Sequence, residues 1–189
     1  TLLASSAASD VYKRQLLKGE PVVVHALRAF EKAEMDEIIL VAGADEVEFC
    51  KRNIVEQYGF TRVRQVVAGG KERYDSVRNG LCALKAVGFA EDGIVLIHDG
   101  ARPLVKPEHI TAVIHDAEVF GGATLGVPVK DTIKVVNDGL IVDTPYRPNL
   151  YSTQTPQVFQ KRIYFEAVDF ALEHHLDFTD DCQLAEAIN

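Results

Sequence analysis

Between Ile94 and Pro103 the chain reads IVLIHDGARP. A run of apolar residues meets a histidine, and Asp99, Gly100 and Arg102 follow at once. An aspartate at the end of a buried strand suits a hard cation. Mg²⁺ in phosphate chemistry usually takes one or two carboxylates and fills its shell with substrate oxygens. An arginine three residues on suits a phosphate, which a guanidinium grips with two parallel hydrogen bonds. A simpler reading stands beside this one: Asp and Gly favour turns, and Arg102 can pair with Asp99 locally.

Four further groups have types and spacing worth weighing. In GGKERYDSV (69–77) a glycine pair before a helix offers backbone N–H groups to an anion, with Gly70, Lys71 and Ser76 as candidate contacts. The alternative is a loop with glycines at positive φ and Ser76 facing solvent. Lys130, Thr132, Lys134 and Arg147 flank one hairpin in an otherwise acidic chain. They read either as a phosphate cradle or as a solvated strand face. In TQTPQ (153–157) the proline holds Thr155 extended and fixes the angle of its hydroxyl, unless this is a simple loop. In FTDD, Thr179 reads as a helix N-cap with Asp180 and Asp181 in the first turn. The histidines have no metal-ligand spacing, and His174 and His175 read as surface residues. GxSxG, HExxH and a Cys–His pairing do not occur, so the chemistry points away from an activated nucleophile.

These groups need a scaffold, and the pattern supplies one. PVVVHALRAFEKA (21–33) predicts a helix with Val23, Ala26, Leu27 and Phe30 inward, and DEIILVAG (36–43) a buried strand. EVEFCKRNIVEQYG predicts a helix ended by Gly59, TRVRQVVAGG a strand, ERYDSVRNGLCALKAVG a helix, IVLIH a strand, and Pro107 opens another helix. Alternating strands and helices with short connections predict an α/β fold around a mostly parallel sheet. Near-continuous apolar strands agree, because such sheets are covered on both faces. Ligands in these folds sit beyond the carboxyl ends of the strands, where HDGARP and AGGKERYDSV both fall. After Gly121 the rhythm changes. GATLGVPVK and DTIKVV read as strands, NDG as a hairpin turn and LIVDT as the returning strand. YRPNLYSTQTPQVF reads as irregular, QKRIYFEAVDFALEHH as a helix, and TDDCQLAEAI as the start of another.

Bulk properties narrow the partners. With 189 residues, the chain is long enough for one domain that buries about 70% of its unfolded surface. A net charge of −8 argues against broad nucleic-acid or membrane binding, which favour basic surfaces. Three cysteines, Cys50, Cys82 and Cys182, form no CxxC pair, which suggests reduced thiols and a cytoplasmic setting. No apolar run approaches the roughly 18 residues of a spanning helix.

Taken in order, GGKERYDSV, IHDGARP, VPVKDTIK, YRPNLYSTQTPQVF and TDD closely resemble the 2-C-methyl-D-erythritol 4-phosphate cytidylyltransferase family, from about Leu16 to Asn189. The resemblance implies a Rossmann-like nucleotidyltransferase fold with helices on both faces of the sheet and a protruding β-hairpin arm at about 131–150. It implies transfer of a cytidylyl group from CTP to methylerythritol phosphate with release of pyrophosphate, in non-mevalonate isoprenoid precursor synthesis. It implies Mg²⁺ or another divalent cation on Asp99 and substrate contacts from Gly100 and Arg102. Gly70, Lys71 and Ser76 fall at its nucleotide site, although the family pattern has an aspartate where Lys71 stands. Thr132, Arg147, Thr155 and Thr179 match its sugar-phosphate site, with Arg147 as the catalytic residue that positions the attacking phosphate. The arm implies a homodimer. Two other readings stay open: a ribitol-5-phosphate cytidylyltransferase, from which PVKDTIK leans away, and a non-catalytic nucleotide-binding protein.

The ends depart from the family pattern. TLLASSAASDVYKRQ (1–15) lacks the expected glycine-rich basic loop and reads as a non-native or disordered leader, so Lys13 and Arg14 are given no catalytic role. A final lysine-bearing strand is also unmatched. The expectation is a partial domain over 16–189 that lacks a strand from the middle of its sheet, with weakened catalysis and stability.

Overall fold

The structure, a computed structural model, describes residues 2–4, 15–33, 35–71, 73–88, 90, 92–174, 176, 178 and 180–188; for residues 2–4, 73 and 74 it describes the backbone. One sheet organises the chain. Its strands are β1 (Leu2–Ala4), β4 (Ile38–Ala42), β5 (Val63–Ala68), β6 (Ile94–Asp99), β7 (Gly122–Pro128) and β10 (Tyr151–Gln160). They lie in the order β5-β4-β1-β6-β10-β7. β5, β4, β1 and β6 pair in parallel, and β10 runs antiparallel to both β6 and β7. A two-stranded ribbon, β2 (Leu16–Leu17) with β3 (Glu20–Pro21), precedes the first helix.

Side-chain alternation sends each strand's apolar residues to two separate cores. On one face Ile38, Leu40, Leu96 and Val158 pack with Val23, Leu27 and Phe30 of α1 (Val22–Lys32). The same core takes Cys50 of α2 (Val47–Cys50), Ile54 of the π-helical stretch Lys51–Glu56, and Ile110, Val113 and Ala117 of α4 (Pro107–Phe120). On the other face Ile39, Val41, Val95, Ile97 and Phe159 meet α3 (Arg73–Ala86), α5 (Lys161–His174) and α6 (Asp181–Glu186) through Leu81, Leu84, Tyr164 and Leu184. Phe159 and Tyr164 stack with centroids 5.0 Å apart. The expected α/β fold with helices on both faces is what forms.

Two expectations are corrected. YRPNLYSTQTPQVF is not irregular from Tyr151 onward: it becomes β10, a ten-residue strand. Its polar half, Tyr151–Thr153, is exposed along β7, while Thr155–Phe159 is buried between β7 and β6. The register shifts between Thr153 and Gln157, and the Thr155–Pro156 bond within that irregularity is cis. A proline is tolerated there because the ladder is already interrupted. The sheet also does not lack its middle: Leu2–Ala4 pairs with β4 on one side and β6 on the other, bringing Ala4 level with Asp99. Within the leader expected over 1–15, residues 2–4 form a sheet strand, and residues 1 and 5–14 lie outside the described residues.

The arm forms as expected. β8 (Val135–Asn137) and β9 (Leu140–Asp143) pair across Asp138 and Gly139, both at positive φ. Two consecutive positive-φ residues fit the right-handed twist of a hairpin, and Asp-Gly accepts them readily. Every residue of both strands is exposed.

Candidate functional site

Asp99 is the last residue of β6, and the chain turns sharply after it, with Arg102 N–H donating to the Asp99 carbonyl at 2.9 Å. Arg102 Nε donates to Asp99 Oδ2 at 3.0 Å, so the local pair foreseen as the simpler reading does form. Both side chains remain more than a third exposed, and Oδ1 of Asp99 has no partner among the described residues. An exposed pair of this kind is worth at most about 1 kcal/mol. The two groups hold each other in place cheaply and stay open to a ligand. Gly100, buried in the turn, lies over Val23: a Cβ there would come 3.6 Å from Val23 Cγ2.

Beneath this turn lies a residue that sequence reasoning passed over. His98 is fully buried, its ring edge-on to Phe30 at 5.0 Å. Its Nδ1 is 3.0 Å from Thr155 Oγ1, and its Nε2 is 3.0 Å from the Arg102 carbonyl. Thr155 Oγ1 also accepts the Asp99 N–H at 3.1 Å. Burial pushes the imidazole down to about 4, with the Arg102 carbonyl and the nearby Asp99 opposing that shift. The ring is therefore neutral at pH 7. The signal was present in the sequence, as a polar residue at an inward position of an apolar strand.

The second cluster lies at the end of β5. Gly69 N–H donates to the Ala42 carbonyl at 2.7 Å, and Gly70 N–H donates to Ser76 Oγ at 3.1 Å. Both amides serve the protein itself, which corrects the expectation that they face an anion. The simpler reading fails too: neither glycine is at positive φ, and Ser76 is only 1% exposed. The glycines answer to crowding. A Cβ on Gly69 would lie 2.6 Å from Ser76 Oγ, and one on Gly70 would lie 2.1 Å from Asp75 Cβ. Gly70→Ala should destabilise the protein by about 1–3 kcal/mol, as overpacking does, and weaken nucleotide binding. Urea unfolding checks the first effect, and unchanged stability would show that the loop is looser than this. Lys71 is exposed beside the cluster.

The arm residues stand apart. Arg147 opens a short 3₁₀ turn (Arg147–Asn149) and its Nη1 donates to the Lys130 carbonyl at 3.0 Å. Lys134 Nζ donates to Thr144 Oγ1 at 2.8 Å, and Thr132 is exposed. This brings Lys130, Lys134 and Arg147 to one arm. Thr179 lies outside the described residues. The cap it was expected to form belongs to Asp180, whose carboxylate accepts the Gln183 N–H at 2.9 Å. Gln157 of β10 fastens this helix start to the sheet, accepting the Asp181 N–H at 2.9 Å. Burial pushes the Cys182 thiol up to about 12, which disfavours its thiolate. Among the described residues, no group of three or more His, Cys, Asp or Glu could cage a metal.

A family model described as IspD, 2-C-methyl-D-erythritol 4-phosphate cytidylyltransferase, matches residues 6–189. The enzyme of that name from Alkaliphilus oremlandii is 46% identical over 174 residues, spanning 91% of this chain and 72% of that protein. Its counterpart from Geotalea uraniireducens is 42% identical over 182 residues, spanning 95% of this chain and 77% of that protein. Among solved structures, 4-diphosphocytidyl-2C-methyl-D-erythritol synthase from Anaerococcus prevotii superposes with a TM-score of 0.87 at 30% identity, covering 99% of this chain and 80% of that one. The motifs at the two strand ends, the hairpin arm and this similarity along nearly the whole length agree: the chain belongs to the 2-C-methyl-D-erythritol 4-phosphate cytidylyltransferase family.

Proposed function

We propose that this protein transfers a cytidylyl group from CTP to 2-C-methyl-D-erythritol 4-phosphate and releases pyrophosphate. The observation that carries the reading is the Asp99–Arg102 turn, held open at the carboxyl end of β6 on the same sheet edge as the glycine cluster that ends β5, with β4 and β1 between them. A phosphate oxygen of the sugar alcohol attacks the α-phosphorus of CTP, and the bond to the β-phosphate breaks. That oxygen is already ionised at pH 7, so no general base is required. The barrier is electrostatic, since two anions must meet and charge builds on the α-phosphate.

The residues present fit a divalent cation. Asp99 supplies one carboxylate whose Oδ1 has no partner among the described residues, and phosphate oxygens and water complete such a shell without a protein cage. Mg²⁺ bound there would neutralise charge on the phosphates. Arg102 then grips a substrate phosphate, and Gly70, Lys71 and Ser76 border the nucleotide. Thr132 and Thr179 are assigned to the sugar phosphate, and Arg147 to orienting the attacking group.

In this reading the arm crosses to another subunit and brings Arg147 to that subunit's site, and the arm has the surface for that. Val136, Leu140, Ile141 and Val142 are each more than half exposed. The assembly is a homodimer in this reading. Replacing Ile141 and Val142 by Lys should weaken association on the order of 100-fold or more, from lost apolar burial alone. Light scattering across a dilution series checks it, and turnover should fall with the dimer. An unchanged dimer in that variant would remove the arm from the interface. The three cysteines are free, which suits the cytoplasm. No helix among the described residues is long and apolar enough to cross a membrane.

The reading is tested by pyrophosphate release from CTP with methylerythritol phosphate or ribitol 5-phosphate as acceptor. Preference for the first supports it. Preference for ribitol phosphate, or CTP binding with no release, would replace it with one of the other two readings.

A further inference from the structure

We infer that His98 is a positioning residue, whose ring ties Thr155 of β10 to the Arg102 carbonyl and so fixes the turn that presents Asp99 and Arg102. The hydrogen-bond directions follow from the atoms. A carbonyl only accepts, so Nε2, 3.0 Å from the Arg102 carbonyl, carries the ring proton. In a neutral ring Nδ1 is then bare, and it accepts the Thr155 hydroxyl at 3.0 Å. The lone pairs of that hydroxyl accept the Asp99 N–H at 3.1 Å. The chain of donors runs Asp99 N–H to Thr155, Thr155 to His98, and His98 to Arg102. Every polar atom of a fully buried imidazole is satisfied.

Two consequences go beyond the family reading. The hydroxyl hydrogen of Thr155, a residue 7% exposed, is spent on His98 and is not available to a substrate phosphate. Thr155 thus supports the site from beneath rather than gripping the ligand. The network also joins β6 to β10 beyond their last ladder pair, Gln157 with Ile97, so the ladder between them does not itself reach Asp99, and it does so where β10 shifts register against β7. Bulges recur beside active sites because they re-aim a side chain, and here the re-aimed group is the Thr155 hydroxyl.

The inference rests on the proposed cytidylyl transfer for its catalytic consequence, but its structural part is measurable without turnover. Amide hydrogen exchange should show Asp99 and Arg102 protected in the wild type and exchanging at least tenfold faster in His98→Phe, which keeps the ring and removes both hydrogen bonds. Thr155→Val, which removes a single hydroxyl, should speed exchange at Asp99 and serves if His98→Phe does not fold. In steady state both variants should lose kcat on the order of 100-fold, the cost of misplacing reacting groups by about 1 Å, with KM for CTP within about twofold. His98→Gln can replace the bond to Arg102, and His98→Asn the bond from Thr155. Each should recover part of the loss. A filler role for His98 predicts lower melting temperature with kcat and local exchange unchanged, and that result would overturn the inference. Faster exchange in variants of a wild type that itself releases no pyrophosphate would instead defeat the functional reading and uphold the positioning role.

Discussion

Asp99→Asn should lose Mg²⁺-dependent turnover by on the order of 10³-fold, the scale of removing one preorganised electrostatic group from a phosphoryl or acyl transfer site. The fold should not notice. Asparagine is nearly isosteric, and its Oδ1 can still accept from Arg102 Nε, which bonds Asp99 at 3.0 Å. The original pair is more than a third exposed on both sides, so its charge contributes little to stability. What changes is affinity for a hard cation, because a neutral amide oxygen is a far weaker partner than a carboxylate. The measurement is turnover against Mg²⁺ concentration, with thermal unfolding as the control. Undiminished turnover at the wild-type Mg²⁺ requirement would take Asp99 out of the metal site.

The second large effect is on stability. His98 titrates near 6.5 when solvated and is pushed down to about 4 by burial in the fold. Between those values the unfolded chain takes up a proton that the folded protein refuses. Stability therefore rises with pH across this window: the contribution is complete above pH 6.5 and is lost as pH falls toward 4. A difference of that size corresponds to about 3 kcal/mol at 1.36 kcal/mol per pKa unit. Urea unfolding in the presence of a chelator, at steps from pH 7 to pH 4, should show this slope on top of that from the carboxylates. His98→Gln, which has no imidazole, isolates it, since its slope should be shallower by the histidine's share. Parallel slopes would mean that the folded protein accommodates the charged ring.

The strands and helices that carry the site were readable because burial repeats. Ile38–Ala42 is apolar throughout and is buried throughout, and α1 inserts the stripe of Val23, Ala26, Leu27 and Phe30 that its spacing predicts. Asp138-Gly139 announced its turn through the one conformation such a pair favours. Other features left weak local signals. β10 hides behind polar residues and a proline, because half of it lies along an exposed ladder and the register slip admits Pro156. β1 is three residues long and owes its strand character to the neighbours on both sides. The fate of the Gly69 and Gly70 amides depends on Ala42 and Ser76, which the loop reaches only after folding. His98 and Thr155 are 57 positions apart in sequence, and no spacing rule reveals that one hydroxyl links them. The pairing of Asp99 with Arg102 at the end of β6 could be read from residue type and position. What holds them required the fold.

The most direct test of the central claim is a mass balance on the reaction itself. The purified protein would be incubated with CTP, methylerythritol 4-phosphate and Mg²⁺, and the mixture followed by ³¹P NMR and mass spectrometry. The account predicts one cytidine diphosphate sugar alcohol formed for each pyrophosphate released, with neither product when Mg²⁺ is chelated. Pyrophosphate appearing with free CMP, or CTP bound and left intact, would contradict it.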